Sequence, residues 1–466
     1  VSALRLALPS LLLLWFLRRA LAERVFLLGV PFLMYMAKAT FFDRLKPFWV
    51  PGRLEPADHL MLWLVVVWLL YFDLLLPPRR RTVRRPAPVF GPRVVLPEEG
   101  VLLGLVALTA LVCLLTVLRT GEPLAALVEA KGFAYLFAGY LLLRGILCHA
   151  GRESTVRFLV ALVAVNTVAA ALFVLHQGLH MGIYDVTEYQ VITFMGQRLT
   201  RSFYFMPPLL GLAVAVSVAR RAWSLPWLAV FAVTVAALWV SYTRSLLLIA
   251  VVEVAVVLGL RLLRGREAGW VLRRALAVAS LVAVFAVLAW TLLPVQSRYL
   301  AARVESTAAA GSVLGDTNLQ NRARKLTTTL AWVRPEGVAL GQGFVNAAQE
   351  PRAGDIEWMS ADLVWVPVLY RLGLLGVAAV AALFAAALWR AAALALRPPP
   401  RAAAGAATAA ADQLSLVLAA LIAGLALEGF VSWTFLNPER TPLGFWWLAL
   451  LVAEAARRRA GGGEAG

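Results

Sequence analysis

Residues 241–259 read SYTRSLLLIAVVEVAVVLG, a run with a guanidinium at its head, Arg244, and a carboxylate near its middle, Glu253. About 20 mainly apolar residues are needed to carry an α-helix across roughly 30 Å of hydrocarbon. A spanning strand needs only about 9–11 alternating residues, so runs of this length read as helices. A charge at the centre of a bilayer costs at least about 2.5–3.5 kcal/mol. Both charges therefore call for a partner or a task.

The run has many counterparts. The chain has 466 residues and is 61% hydrophobic, against roughly 45–50% in soluble domains. Apolar runs fall at about 3–17, 25–40, 58–76, 98–118, 131–148, 157–176, 203–219, 224–241, 242–262, 271–293, 361–390, 412–431 and 442–456. The first two are short and contain Pro9 and Pro31. The expected architecture is an all-α polytopic membrane protein of about twelve to fourteen transmembrane helices. Its parts are a helical region over 1–294, a large extracytoplasmic loop over 295–360, and C-terminal spans over 361–466. The first run is followed by further spans and lacks an A-x-A-like site, so it reads as a span and not a removed signal peptide. Cys113 and Cys148 both lie in apolar runs and read as packing residues.

The net charge of +18 does not point to nucleic acid. The basic residues stand in short clusters between apolar runs, RRALAER at 18–24, RRRTVRR at 79–85, RLLRGREAGWVLRR at 261–274 and RRR at 457–459. That is the pattern of cytoplasmic loops beside anionic lipid. Placing 77–97, 219–223, 262–271, 391–411 and 457–459 in the cytoplasm is self-consistent, and it puts 177–202 and 295–360 outside. Both outer segments carry basic residues against the bias. They are Arg198 and Arg201 in one, and Arg298, Arg303, Arg322, Arg324, Lys325, Arg334 and Arg352 in the other. Arg244 lies at the same face. For any one of them, snorkelling to the interface is the plainer account.

Together they suit an anionic headgroup, because a guanidinium fork matches phosphate oxygens bidentately. A polyprenyl diphosphate, with two phosphates at headgroup depth and its tail in lipid, would meet Arg244, Arg198 or Arg201, and a loop arginine. Glu253 lies about 13 Å deeper than Arg244 at 1.5 Å per residue, too far to pair with it. It reads as a buried carboxylate bonded within the bundle, with Arg144 and Glu428 as possible partners.

WVSYTRSLLLIA (239–250) resembles the Thr-Arg-Ser helix start of the O-antigen ligase and polymerase superfamily, with Thr243 and Ser245 flanking Arg244. Three further stretches resemble that family in its order. They are RLTRSFYFMPPLLG (198–211), NRARKLTTTLAWVRPEGVALGQGF (321–344) and DLVWVPVLYRLGLLG (362–376). The second implies an amphipathic helix leading to a Gly-x-Gly turn, here Gly341 and Gly343. The third implies the helix after the large loop, ending in Gly-Leu-Leu-Gly. The resemblance spans roughly 155–380. It implies a bacterial inner-membrane enzyme, active on its periplasmic face, that moves glycan from undecaprenyl diphosphate to an acceptor hydroxyl. The acceptor would be another glycan, a lipid A core or a protein.

The family's His-Asn at the start of the last helix is replaced here by Asp362 and Leu363. Asp362, or the neighbouring Glu357, would then act as base. Abstraction of a hydroxyl proton requires position and a matched pKa, which a carboxylate can supply; an N-cap role for Asp362 is the competing account. Under this reading Arg244, Arg322 and Arg198 or Arg201 grip the diphosphate, inversion follows from a single displacement, and neither metal nor other cofactor is needed. Two alternatives stand beside it. Asp355 and Glu357 resemble the acidic metal ligands of metal-dependent multispan glycosyltransferases. The intramembrane charges suit a flippase or transporter of lipid-linked glycan.

Overall fold

The computed structural model describes residues 2–36, 56–72, 74, 96–179, 191–200, 207–219, 224–264, 268–308, 317–333, 335–346, 348–353, 355–356, 365–397, 406–429 and 441–462. Among them are fifteen α-helices and one two-stranded sheet. The helices are α1 (Ser2–Ala22), α2 (Gly29–Met36), α3 (Pro56–Tyr71), α4 (Pro97–Thr120), α5 (Pro123–His149), α6 (Arg152–Leu179), α7 (Pro207–Ala219), α8 (Leu225–Val240), α9 (Arg244–Leu263), α10 (Ala268–Leu292), α11 (Pro294–Ala308), α12 (Thr317–Trp332), α13 (Trp365–Leu396), α14 (Ala406–Gly429) and α15 (Trp446–Gly462). The protein is an all-α polytopic membrane protein. Six of these helices are individually long and apolar enough to cross a bilayer, α4, α5, α6, α9, α10 and α13, and shorter apolar helices accompany them. Among the described residues, each of the thirteen apolar runs lies mainly in helix. Pro9 does not interrupt α1, which is continuous around it. The stretch expected to form an amphipathic helix is helical as α12, and α11 precedes it.

The described parts of three segments grouped together by charge, 262–271, 391–411 and 457–459, meet at one end of the bundle, while 77–95 and 220–223 lie outside the described residues. Arg264, just past α9, bonds Asp412 of α14 (Nη1–Oδ1 2.6 Å) and donates to the Ala395 carbonyl of α13. Arg458 of α15 donates to the Leu394 carbonyl at 2.8 Å, and Arg152 pairs with the buried Glu454 at 3.0 Å. At this end basic side chains close helix C-termini, where exposed carbonyls and the negative end of the helix dipole favour them.

Arg144 is not the partner of Glu253. It is bound to Glu99 of α4 (Nε–Oε1 2.6 Å), whose carboxylate also accepts from the Tyr140 hydroxyl at 2.6 Å and from the Leu96 amide at 3.0 Å. Three donors, two on α5 and one at the N-cap of α4, thus satisfy one buried acid. Removing only the cation leaves that acid uncompensated, and broken buried pairs cost about 3–5 kcal/mol. Arg144→Met is therefore expected to lower the melting temperature sharply in detergent, and adding Glu99→Gln to recover much of the loss.

One structural break sits at the opposite end. α13 is interrupted at Gly373 (φ 63°, ψ −162°), about 12 Å along the helix from Trp365. Backbone groups freed there must find partners, because hydrocarbon supplies none. Segment 338–344 supplies them. Leu374 and Leu375 donate to the Val338 and Ala339 carbonyls (3.0 and 3.1 Å), and Gln342 donates to the Tyr370 carbonyl (2.7 Å). On the other flank the Phe344 amide donates to Thr116 Oγ1 at 3.1 Å, and Arg119 donates to the Gln342 carbonyl. The helix described in sequence as ending in Gly-Leu-Leu-Gly instead continues past it to Leu396, with its first Gly as the break.

Candidate anion site at the head of α9

α9 begins at Arg244, behind Thr243 as N-cap. Thr243 does not cap with its side chain; its hydroxyl donates back to the Ser241 carbonyl at 3.0 Å. A first helical turn ordinarily favours acids, because its amide hydrogens and the macrodipole are positive, and a cation there is disfavoured by roughly 0.3–1 kcal/mol. α9 has no acid in its first turn and a half-buried arginine instead. Arg244 leans on α11, donating to the Arg303 carbonyl at 3.3 Å. Positive helix terminus, Arg244 and the Arg303 backbone therefore share one place.

The residue that turns the chain into this helix is strained. Tyr242 has φ +53°, a left-handed conformation that costs an L-residue roughly 1–2 kcal/mol. Its ring is fully buried and stands edge-on to Tyr299 of α11, centroids 5.1 Å apart. Its hydroxyl is buried with no hydrogen-bond partner among the described residues. Strain and an unsatisfied polar atom beside an arginine are features that packing alone does not favour.

A hairpin, β1 (Val191–Phe194) and β2 (Gln197–Thr200), covers Tyr299 with Phe194 at 5.1 Å. Its turn residues Met195 and Gly196 have φ +50° and +77°, both central residues positive as a type I′ turn demands. Leu199 is fully buried in the same cluster as Tyr242 and Tyr299. Strand side chains alternate in direction, so Arg198, the neighbour of Leu199, is exposed on the far face opposite Thr193. The hairpin thus turns Arg198 outward, away from the buried cluster. Gln197 shares the inward register, and its Oε1 is buried with no partner among the described residues.

The remaining expected residues distribute as follows. Ser245 follows Arg244 in the first turn of α9 and is half-buried. Arg322 is half-buried on α12, which packs on α13 and contributes Leu326 and Trp332 to the cluster of Val333, Val345, Ile356, Val366 and Tyr370. That cluster adjoins the α13 break and is distinct from the one around Tyr242. Gly341 and Gly343 have φ +78° and +87°. A Cβ on Gly341 would lie 2.5 Å from the Arg371 carbonyl, and one on Gly343 would strike Thr116 Oγ1. Both are turn glycines that also allow segment 338–344 to enter the break. Asp355 is exposed. Asp362, Glu357 and Arg201 lie outside the described residues.

Residues that sequence reasoning passed over complete the picture. Tyr299 and Gln197 carry no motif, and Tyr242, though it directly precedes Thr243 in the quoted stretch, was not singled out. Arg371 binds Glu129 (Nη2–Oε2 2.8 Å) and fixes the break of α13 to α5. No protein-family model matches this chain, and no curated protein matches it either.

Proposed function

We propose that the protein is a membrane glycosyltransferase that moves a glycan from a polyprenyl diphosphate to an acceptor hydroxyl at the outer face of a bacterial plasma membrane. The observation carrying this reading is the arginine at the positive end of α9, set behind a strained tyrosine with an unused hydroxyl. An anion would answer the first and the last of these. A phosphate oxygen accepts from Arg244, lies at the helix N-terminus where anions are favoured, and gives the Tyr242 hydroxyl an acceptor.

In the reaction the acceptor oxygen bonds to the anomeric carbon as the bond from that carbon to the diphosphate oxygen breaks. The configuration inverts, the diphosphate leaves with the electron pair, and the acceptor proton passes to a carboxylate, Asp362 or Glu357. Arg244 stabilises the charge growing on the leaving group, as preorganised donors do for oxyanions, with Arg322 and Arg201 as further cations. Thr243 and Ser245 flank Arg244 at the mouth, and Gly341 and Gly343 take a supporting role on the strength of the resemblance alone. Lipid A core, a second glycan or a protein hydroxyl would serve as acceptor, and the chemistry needs no metal.

Native mass spectrometry of the purified protein with undecaprenyl diphosphate tests the binding step. Wild type is expected to retain the lipid, and Arg244→Ala to lose it. Tyr242→Phe is expected to melt no lower than wild type, since an unsatisfied buried hydroxyl costs about 1–3 kcal/mol, while binding the lipid more weakly. Equal retention by all three proteins would contradict the site.

A further inference from the structure

Glu253 sits midway along α9, wholly buried, with neither carboxyl oxygen partnered among the described residues. The proposed diphosphate chemistry, about 13 Å away at the head of the same helix, makes no use of it. Its oxygen is seated on Gly424 of α14. A Cβ at that position would overlap Glu253 Oε1 and lie 2.8 Å from its Cδ. A glycine is what lets α14 approach the carboxyl so closely. Glu428, also buried, follows four residues later, on the same face of α14 one turn away. Two acids from two tightly packed helices therefore share one interior region.

Among the described residues of the helices packed around it, no arginine is positioned to answer Glu253. α9 packs on α7, α8, α10, α13 and α14. α7 and α8 contain no ionisable residue. On α10, Arg274 lies over Trp270 and Arg273 donates to the Gly269 carbonyl. On α13, Arg371 binds Glu129 and Arg390 binds Glu98. On α14, Asp412 is bound to Arg264. On α9 itself, Arg244 reaches Arg303 at the head and Arg261 lies over Trp270 near the tail. These cations are engaged towards one end of the bundle or the other. A carboxylate in such surroundings is tolerated only with its charge offset.

We propose that Glu253 and Glu428, with Gly424 making room between them, form a binding site for one small monovalent cation, a proton or an alkali ion, inside the bundle. The charge balance is simple. One cation enters from water and neutralises one carboxylate; no covalent bond to carbon changes.

Labelling by a hydrophobic carbodiimide, which reacts with protonated carboxyls in apolar surroundings, tests this on the full-length protein in nanodiscs. In alkali-free choline buffer, peptide mapping is expected to find the adduct on Glu253, with labelling lost as pH rises. Glu253→Gln is expected to lack that adduct. Labelling unaffected by added sodium assigns the site to the proton, and labelling slowed by sodium assigns it to an alkali ion. Absence of a Glu253 adduct at every pH in alkali-free buffer would overturn the proposal. Because wild type alone decides the matter, a poorly folding variant does not obscure it, and the result is independent of glycan transfer.

Discussion

Arg244→Ala is expected to lower turnover of a lipid-diphosphate donor by about 10²–10³, the usual loss when one preorganised oxyanion donor is removed, while leaving the fold within about 1 kcal/mol of wild type. The two halves of this result follow from one geometry. At the positive end of α9 a guanidinium is electrostatically misplaced for the helix, and its hydrogen bond to the Arg303 carbonyl is long, 3.3 Å. Replacing it relieves the first and forfeits the second, two small effects of opposite sign. The bound diphosphate, in contrast, loses a bidentate partner whose worth grows as charge develops. Arg244→Lys should fall between, since it keeps the charge and loses the planar fork. Parallel melting curves and turnover rates check both halves. A variant that simply unfolds would contradict the assignment.

The second large effect belongs to Gly373→Ala. The backbone at 373, φ 63° and ψ −162°, lies in a region essentially reserved for glycine, where other residues cost about 1–3 kcal/mol. The added Cβ would also strike the Ala339 carbonyl oxygen, and such overpacking costs typically about 1–3 kcal/mol more. The helix cannot straighten to escape, because Leu374, Leu375 and the Tyr370 carbonyl would abandon the hydrogen bonds that seat segment 338–344. A loss of about 2–6 kcal/mol is therefore expected, read as a lower melting temperature and as new protease sensitivity at the 338–344 loop. Gly104→Ala supplies the comparison: on α4 nothing lies within 4 Å of its would-be Cβ, and that change should be neutral or slightly stabilising.

The membrane architecture was legible because length and hydrophobicity are local properties. A run such as 242–262 needs no partner to be recognised, and the helix there begins within two residues of expectation. Clusters of arginine likewise marked the loops that meet near Arg264 and Arg458. Pairing was not legible. Arg144 finds Glu99 45 residues earlier in the chain, and the LLLRGIL and PEEGVLL stretches hold nothing that selects one partner over another. The hairpin at 191–200 was hidden for a different reason, since Met-Gly takes the place of the Asn-Gly or Asp-Gly that usually announces a type I′ turn. At Gly373 the run is apolar on both sides apart from Arg371, and a lone arginine does not announce a break, so only the backbone reveals the interruption. Arg244 was singled out correctly as an arginine at a helix head. Tyr242 at the head of the same helix and Gln197 in the hairpin were missed because strain and unsatisfied polar atoms are properties of the folded chain.

The central claim is that Arg244 holds the leaving group of a lipid-linked glycan. Its most direct test is the release of undecaprenyl diphosphate from a radiolabelled lipid-linked glycan in proteoliposomes containing EDTA. Wild type is predicted to release it and Arg244→Ala to retain the glycan on its lipid. Failure of wild type to release it, even with magnesium and a crude acceptor extract, would contradict the account.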